Sequence, residues 1–483
     1  MGIINHLRIL GLAGFIPVAT FAADWRGAGP LYDDFSLTLA SGHRTEILGP
    51  LFYLEQRESQ LTWAIPPLTL SHTADPATES EEWDFAYPLL TYDRFGSQYH
   101  WQILQLWNVG GGENQGNTSD HRFSLFPFYF QQRSPIPSHN YTALVPIYGH
   151  LDHRFFRDEI DFTLFPLYSK TRKGDVVTRN MPYPFFHRRQ GNGLEGWQLF
   201  PLVGHEHKIP TTRTNGFGDV SIVGGHDYRF VLWPFFHTTE AETGTPNATH
   251  LQALTFIYSL ERSAQRESTS YGWPLGVTHT IDREKQYEEW GAPWPLVVFA
   301  HGPGKTTDRV WPFFSQAHTT NLTSDWYLWP VYKFNGFQGE NYNRGRTRIL
   351  FFLYSDVAER DTAKHRERHR VDFFPFYTRV REFDGSEHLH ALSILEPIFP
   401  NNKSLERDVS PLYTVWRSET NAKTGARSQS LLWNLYRHDT TPQSTRSSAL
   451  FGLFQYQKNA TNTRWRVFFV PFGFPAPRPA AGN

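Results

Sequence analysis

A short motif, an aromatic or apolar residue followed by proline and then by two apolar or aromatic residues, recurs along most of the chain. Residues 162–189 contain it twice, at Pro166 and Pro184, on either side of the polar stretch 173–175 (KGD). Such self-similarity at a short spacing is the signature of a repeat architecture, and we count about twenty-two strict or loose copies, roughly 20 residues apart. The strict copies are centred on Pro127, Pro146, Pro166, Pro184, Pro201, Pro234, Pro274, Pro295, Pro312, Pro330, Pro375 and Pro411.

The segments between the motifs predict hairpin turns. Residues 173–175 (KGD), 191–193 (GNG) and 384–386 (DGS) have the composition of tight turns between antiparallel strands. Parallel strands would need connections of a dozen or more residues, and no helical periodicity is present to supply them. The repeat therefore predicts an all-β fold, an antiparallel up-and-down meander of about 20–22 strands closed into a barrel. A β-solenoid with one motif per rung is the alternative.

Proline inside such a strand lacks the N–H group that the hydrogen-bond ladder requires. Because alternate residues of a strand share a face, Phe165 and Leu167 would lie on one face, and Pro166 and Tyr168 on the other. This arrangement predicts an apolar belt in the middle of each strand. Carbonyl groups without partners are costly in hydrocarbon, so we expect each proline to lie at a bend or beside water.

The amino-terminal residues are typical of an export signal. Arg8 precedes an apolar stretch, residues 9–21, and small residues surround the expected cleavage point before Ala23. A short buried helix is the alternative. We therefore divide the chain into a signal peptide (1–22), a single repetitive β domain (23–474) and a flexible Pro/Ala-rich tail (475–483). The sequence contains no Cys, so burial and hydrogen bonds must hold the exported chain without disulfides.

Phe, Tyr and Trp make up 16% of the chain, and aromatic residues are enriched in strands. An apolar belt repeated in many antiparallel strands is what an outer-membrane barrel presents to lipid. The chain thus resembles bacterial outer-membrane β-barrel proteins as a general class, and a set of exported bacterial proteins with repeated aromatic-Pro-aromatic motifs. The first resemblance implies insertion into the outer membrane by the barrel-assembly machinery and a channel or transport role. The alternative is an exported soluble β-repeat protein, structural or carbohydrate-binding, in the periplasm or outside the cell.

The balance of positive and negative charges indicates which classes of binding partner to expect. With 46 Lys+Arg against 47 Asp+Glu, the sequence gives no reason to expect the basic face that nucleic-acid binding requires. The expected partners are outer-membrane lipid and, as a ligand, a small solute or a polysaccharide. We expect no cofactor, no bound metal and no enzymatic activity, because no constellation of catalytic residues stands out.

Several short segments could carry chemistry, and for each we favour a structural role. The groups are residues 301–307 (HGPGKTT), His365 with Glu367 and His369, His205 with His207, His388 with His390, and Glu288 with Glu289 beside Trp290. The first lacks the glycine spacing of a phosphate-binding loop, and the others occur in polar segments that predict turns or charged hairpins. The longest interruptions between motifs, residues 108–121 and 211–228, are the segments best suited to contact a ligand.

Overall fold

The computed structural model describes residues 25–113, 119–214, 219–400, 402–468 and 470–475. The predicted signal peptide and residues 476–483 of the predicted tail lie outside this part of the chain. The described residues form one 44-stranded antiparallel sheet, in which strands pair in chain order, and a separate two-stranded sheet. The prediction of an all-β antiparallel meander is confirmed, and the predicted count of 20–22 strands is wrong.

Most strands contain six residues, a length of about 20 Å. As far as residue 180 they are β1 (Trp25–Gly27), β2 (Tyr32–Ser36), β3 (Gly42–Ile47), β4 (Phe52–Arg57), β5 (Gln60–Ile65), β6 (Leu70–Asp75), β7 (Ser80–Phe85), β8 (Leu90–Phe95), β9 (Gln98–Ile103), β10 (Trp107–Glu113), β11 (Ser119–Leu125), β12 (Tyr129–Arg133), β13 (Tyr141–Leu144), β14 (Tyr148–Arg154), β15 (Arg157–Thr163), β16 (Tyr168–Lys173) and β17 (Val176–Asn180). From there to residue 319 they are β18 (Phe186–Gly191), β19 (Leu194–Leu199), β20 (Val203–Lys208), β21 (Thr211–Thr214), β22 (Val220–Val223), β23 (Gly225–Val231), β24 (Phe236–Thr243), β25 (Thr249–Leu254), β26 (Tyr258–Ser263), β27 (Arg266–Tyr271), β28 (Val277–Asp282), β29 (Tyr287–Gly291), β30 (Val297–His301), β31 (Lys305–Val310) and β32 (Phe314–Thr319). The last are β33 (Leu322–Tyr327), β34 (Tyr332–Gln338), β35 (Tyr342–Ile349), β36 (Tyr354–Asp361), β37 (Arg366–Phe373), β38 (Tyr377–Arg381), β39 (Glu387–Ala391), β40 (Trp416–Asn421), β41 (Ala426–Leu431), β42 (Tyr436–Thr440), β43 (Ser444–Ala449), β44 (Phe454–Asn459), β45 (Asn462–Val467) and β46 (Val470–Pro475).

The aromatic-Pro motifs form turns at one edge of the sheet. Pro166 lies between β15 and β16, in a turn closed by a hydrogen bond from Leu167 N–H to the Leu164 carbonyl (2.8 Å), and the peptide bond before it is cis. Proline at this position removes no hydrogen bond from the strand ladder. The other strict-motif prolines also lie in turns between strands, except Pro411, which lies in the short α-helix α1 (Ser410–Tyr413). The expected bend is therefore confirmed at the prolines that lie in turns, whereas the predicted mid-strand apolar belt is wrong.

Two kinds of turn alternate along the chain, and this explains the strand count. At the opposite edge of the sheet, strands are joined by short polar hairpins. In one of them, Lys173 and Val176 are directly opposite each other at the end of the β16–β17 pair. Each repeat of roughly 20 residues thus contains one aromatic-Pro turn, one polar hairpin and two strands. The sequence-based count assigned one strand to each motif.

The register of the strand pairs places one residue of each strand directly opposite one residue of the next. Gly149, Phe162, Ser169 and Asn180, on β14 to β17, are directly opposite one another in successive pairs. Residues directly opposite in an antiparallel sheet lie on the same face. We call this side the inner face, because it carries the small buried core cluster, which consists of Phe130, Tyr141, Ala143, Leu151 and Phe162.

The beginning and the end of the sheet contact each other through their inner faces, and we call this contact the seam. The Arg437 guanidinium on β42 lies 3.4 Å from the centre of the Phe35 ring on β2. The side-chain amide of Asn434 donates to the Glu46 carboxylate (2.7 Å). Within the described residues no strand pairing joins β1 to β46, so a closed barrel is not detected.

Helical structure in the described residues is confined to short segments. These are single turns at Gly49–Leu51, Pro66–Leu68 and Pro137–His139, and a π-helical turn at Leu405–Val409 that continues into α1. In this part of the chain no helix combines the length and the apolar character that crossing a bilayer would require.

The core cluster generates a prediction about stability. Phe162 is 5% exposed, whereas Phe156, on a polar hairpin of the same sheet, is 96% exposed. Replacing Phe162 by Ala should lower the free energy of unfolding by about 3–5 kcal/mol, because a large buried side chain leaves a cavity. Denaturant titration followed by far-UV circular dichroism measures this loss. The matched variant Phe156→Ala should unfold at nearly the wild-type midpoint, and equal losses in the two variants would contradict the assignment of the core.

Candidate functional site

The turns that contain the aromatic-Pro motifs, with the related turns that lack proline, line one edge of the sheet. We call this edge the apolar rim. Its turns are residues 48–51, 66–69, 86–89, 104–106, 126–128, 145–147, 164–167, 181–185, 200–202, 232–235, 255–257, 272–276, 292–296, 311–313, 328–331, 350–353, 374–376, 432–435 and 450–453. None of these turns contains Asp, Glu, Lys, Arg or His. The rim is therefore an uncharged strip that runs along nearly the whole sheet.

Backbone hydrogen bonds join neighbouring turns of the rim. The Leu164 N–H donates to the Ile147 carbonyl (2.6 Å), and the Phe165 N–H donates to the Pro146 carbonyl (2.7 Å). The backbone groups of the turns are thus satisfied within the sheet, and the side chains project outward. Phe313 is 60% exposed, and most of the other large apolar side chains of the rim are at least one-third exposed. Contiguous exposed apolar surface on this scale marks an interaction site.

A second feature is the seam, where the segment Leu405–Val409 lies on the inner face of β5 to β7. Ser71 donates its hydroxyl hydrogen to Asp408 Oδ2 (3.0 Å), and Asp408 is fully buried. Arg407 donates to Thr73 Oγ1 (2.8 Å) and forms an ion pair with Asp84. These contacts join residues more than 300 positions apart in the chain.

A cavity of about 380 Å³ lies at the seam and is lined by charged groups from both ends of the sheet. Arg44 is paired with Glu55 (3.0 Å), and Arg417 is paired with Glu419. Although burial opposes it, the Arg417 guanidinium lowers the pKa of Glu419 to about 2. The charges that line the cavity therefore compensate one another, which is the arrangement expected of a structural contact.

Asp408 differs from these groups. Burial raises the pKa of Asp408 to about 7, and the nearby Arg407 guanidinium only partly opposes this rise. One of its oxygens, Oδ1, has no hydrogen-bond partner, although Arg407 Nε lies 3.4 Å away. The seam thus contains a carboxyl group that is easily protonated near neutral pH.

The structure does not bring the sequence candidates together into a site. His365 lies in a turn, whereas Glu367 pairs with Arg360 (3.3 Å) and His369 contacts Asp356 (2.8 Å). In the described ranges, no three His, Asp or Glu side chains are arranged to hold a metal ion.

The carboxylates of Glu288 and Glu289 lie on opposite faces of β29. Glu288 contacts His279 (2.8 Å) and accepts a hydrogen bond from Trp290 (3.0 Å), whereas Glu289 pairs with Lys305. They lie in a strand, not in the polar turn that we predicted, and they cannot act as a carboxylate pair at one site.

The remaining candidates also occupy structural positions. Residues 302–304 form the turn between β30 and β31, and residues 301 and 305–307 are the strand ends on either side of it. His205 and His207 both contact Asp227 (3.1 and 3.2 Å), which Arg229 also binds, and His388 lies beside His390 with ring centres 6.0 Å apart.

The two segments expected to be long loops are mostly strands. Residues 108–121 belong largely to β10 and β11, with 114–118 outside the described part of the chain. Residues 211–214 and 220–223 are β21 and β22, a separate hairpin beyond the polar edge of the sheet. The rim and the seam are the features that the sequence analysis missed. It did not predict that the side chains of the rim are exposed, or that the residues of the seam contact each other.

Comparison with known proteins adds no family. A scan against protein-family models finds no match, and a search of curated proteins finds no significant similarity.

The titration of Asp408 generates a prediction about pH. Its carboxyl group binds a proton more tightly in the folded protein than in the unfolded chain, where its pKa is near the ordinary value of 3.8. Its ionisation should therefore lower the free energy of unfolding, by about 3 kcal/mol, as pH rises from about 4 to about 7. Glu419, with a pKa of about 2, contributes stability that is lost only at more acidic pH.

The measurement is the denaturation midpoint of wild type and Asp408→Asn across this pH range. The variant should lose the Asp408 contribution, so its midpoint should decline less as pH rises. The control Asp384→Asn changes a carboxyl group on a polar hairpin whose pKa is held low by hydrogen bonds from Ser386. This control should retain the wild-type slope, and an unchanged slope in Asp408→Asn would contradict the prediction.

Proposed function

We propose that this chain is a membrane-associated protein of the cell envelope, held on a bilayer by its apolar rim. The observation that carries the proposal is the uncharged strip of exposed Trp, Phe, Leu and Tyr side chains, which the longer connection between β39 and β40 interrupts. Trp and Tyr are the residues that membrane–water interfaces favour. The outer membrane is the bilayer that the predicted export signal and the β fold suggest.

The dimensions of the strands support contact through the rim over contact through mid-strand residues. Strands of six residues are shorter than the roughly 9–11 residues that cross a bilayer in membrane barrels. The outer face also carries charged residues at mid-strand, with Lys170, Arg179 and Arg188 directly opposite one another on β16 to β18. An apolar edge one turn deep suits insertion of about 5–10 Å into the headgroup and acyl boundary.

The energetics also support attachment. Complete burial of a Leu or Phe side chain is worth about 1.5–3 kcal/mol, and rim side chains such as Phe313 have about half of this area still to bury. Because the rim repeats this exposure at nearly every turn, insertion of only a part of it would give stable binding.

A closed barrel, with a channel or transport role, is a further proposal. It is supported by the seam, where side chains from the two end regions of the sheet, such as Phe35 on β2 and Arg437 on β42, make contact without a strand pairing. Slow migration of the heated sample relative to the unheated one during electrophoresis in detergent is the expected behaviour of a stable closed barrel.

The rim is tested by vesicle co-sedimentation of purified protein. Phe165→Asp combined with Phe313→Asp should reduce vesicle binding at least about tenfold, because it places two carboxylates at the bilayer interface. The matched control combines Phe95→Asp with Phe156→Asp, two exposed Phe residues on polar hairpins at the other edge, 67% and 96% exposed. Circular dichroism verifies that both variants fold.

The control variant should bind vesicles as wild type does. Equal binding by the two variants would show that the rim is not the contact. Release of the native protein from cells by osmotic shock alone would instead favour the soluble β-repeat alternative, and self-association of vesicle-free protein that only the rim variant abolishes would assign the rim to a second copy of the chain.

A further inference from the structure

A cluster of cationic side chains lies on the inner face beside the apolar rim. Lys333 on β34 is directly opposite Arg348 on β35, and both are the second strand residue from the rim turns 328–331 and 350–353. Arg346 lies on the same face of β35, two residues farther from the rim. The three side chains are partly exposed and can be reached from solvent.

These three side chains differ from the arginines around them. In the part of the chain that the structure describes, none of the three has a carboxylate within ion-pair distance, whereas Arg344 is paired with Glu359 (3.4 Å) and Arg370 with Asp372 (2.9 Å). The Nε atoms of Arg346 and Arg348 are buried and have no hydrogen-bond acceptor. The cluster therefore presents buried donors and uncompensated positive charge.

This arrangement is unfavourable without an anion. Like charges directly opposite on neighbouring strands destabilise a sheet, and a buried donor without an acceptor loses its hydration without replacement. Burial, together with the charges of Arg348 and Arg344, lowers the pKa of Arg346. A bound anion would supply both the missing acceptor and the opposite charge.

We propose that Lys333, Arg346 and Arg348 bind the phosphate group of an anionic lipid headgroup. The proposal rests on the proposed seating of the rim in a bilayer. Lys333 and Arg348, two positions along a strand from the rim, lie about 7 Å above it, which is the depth of the headgroups when an apolar edge is inserted by about 5–10 Å. Arg346 begins about 7 Å higher on the same face. Guanidinium groups bind phosphate oxygens through paired N–H donors, and an ammonium group adds a further positive charge.

The test uses the full chain and vesicles of phosphatidylcholine, with or without phosphatidylglycerol. The variant Lys333→Gln/Arg346→Gln/Arg348→Gln should bind phosphatidylglycerol vesicles at least about tenfold more weakly than wild type and phosphatidylcholine vesicles equally well. The matched control is Lys170→Gln/Arg179→Gln/Arg188→Gln, which removes the same charge from three opposed cations on the outer face. The control should retain most of the preference for phosphatidylglycerol.

A second arm measures thermal stabilisation by soluble glycerophosphoglycerol and by inorganic phosphate, which does not depend on the rim. If the soluble headgroup stabilises wild type but not the inner-face variant, the site is supported even when no vesicle is bound. Absence of vesicle binding would then refute only the proposed membrane function. Equal loss of vesicle binding in both triple variants would overturn the proposal. It would also be overturned if the inner-face variant kept the wild-type preference, or if the soluble headgroup and inorganic phosphate stabilised that variant as much as wild type.

Discussion

Hydrogen bonds between the backbones of successive turns are the interaction on which the rest of the structure depends. The Leu164 and Phe165 N–H groups donate to carbonyls of the preceding turn at 2.6 and 2.7 Å, and equivalent bonds recur along the edge. They continue the hydrogen-bond ladder of the strands into the turns, and they hold neighbouring turns at the same position along the strand direction. If the turns were staggered, the exposed aromatic side chains would lie among the charged residues of neighbouring strands, and no uncharged rim would exist.

A sheet of this length has few ways to bury side chains, and the two faces use different ones. The outer face relies on contacts between rings on adjacent strands, as in His72 with Trp83 (4.0 Å) and Tyr92 with Trp101 (4.4 Å). The inner face has a small apolar cluster and, at the seam, compensated ion pairs. Cross-strand pairs of this kind each contribute a fraction of a kcal/mol up to about 1 kcal/mol. Stability is therefore distributed along the sheet, and the seam adds long-range contacts.

The sequence predicted the repeat and the antiparallel meander, because composition and polar hairpins such as residues 173–175 depend on local chemistry. It expected a bend at the prolines, which the turns confirm, but it placed Pro166 within one continuous strand, because alternation of apolar residues looks the same in a strand and in a tight turn. The structure separates the two, because Leu164, Leu232 and Leu328, just before the motif, have φ values of 46°, 50° and 47°, which fit turns and not strands. The cationic cluster had a signal in the sequence, the alternation of Arg344, Arg346 and Arg348. The seam had none, because its partners are joined only by tertiary structure.

The seam has a consequence for how this chain can vary in length. Ser71 meets Asp408, and Phe35 meets Arg437, only when a fixed number of hairpins lies between them. Insertion or deletion of one repeat within residues 90–390 would preserve every local pairing and the chemistry of both edges. It would nevertheless change the length of the sheet by two strands, about 10 Å, and bring the wrong side chains together at its ends. The seam thereby selects one size from a repeat that could otherwise be extended indefinitely.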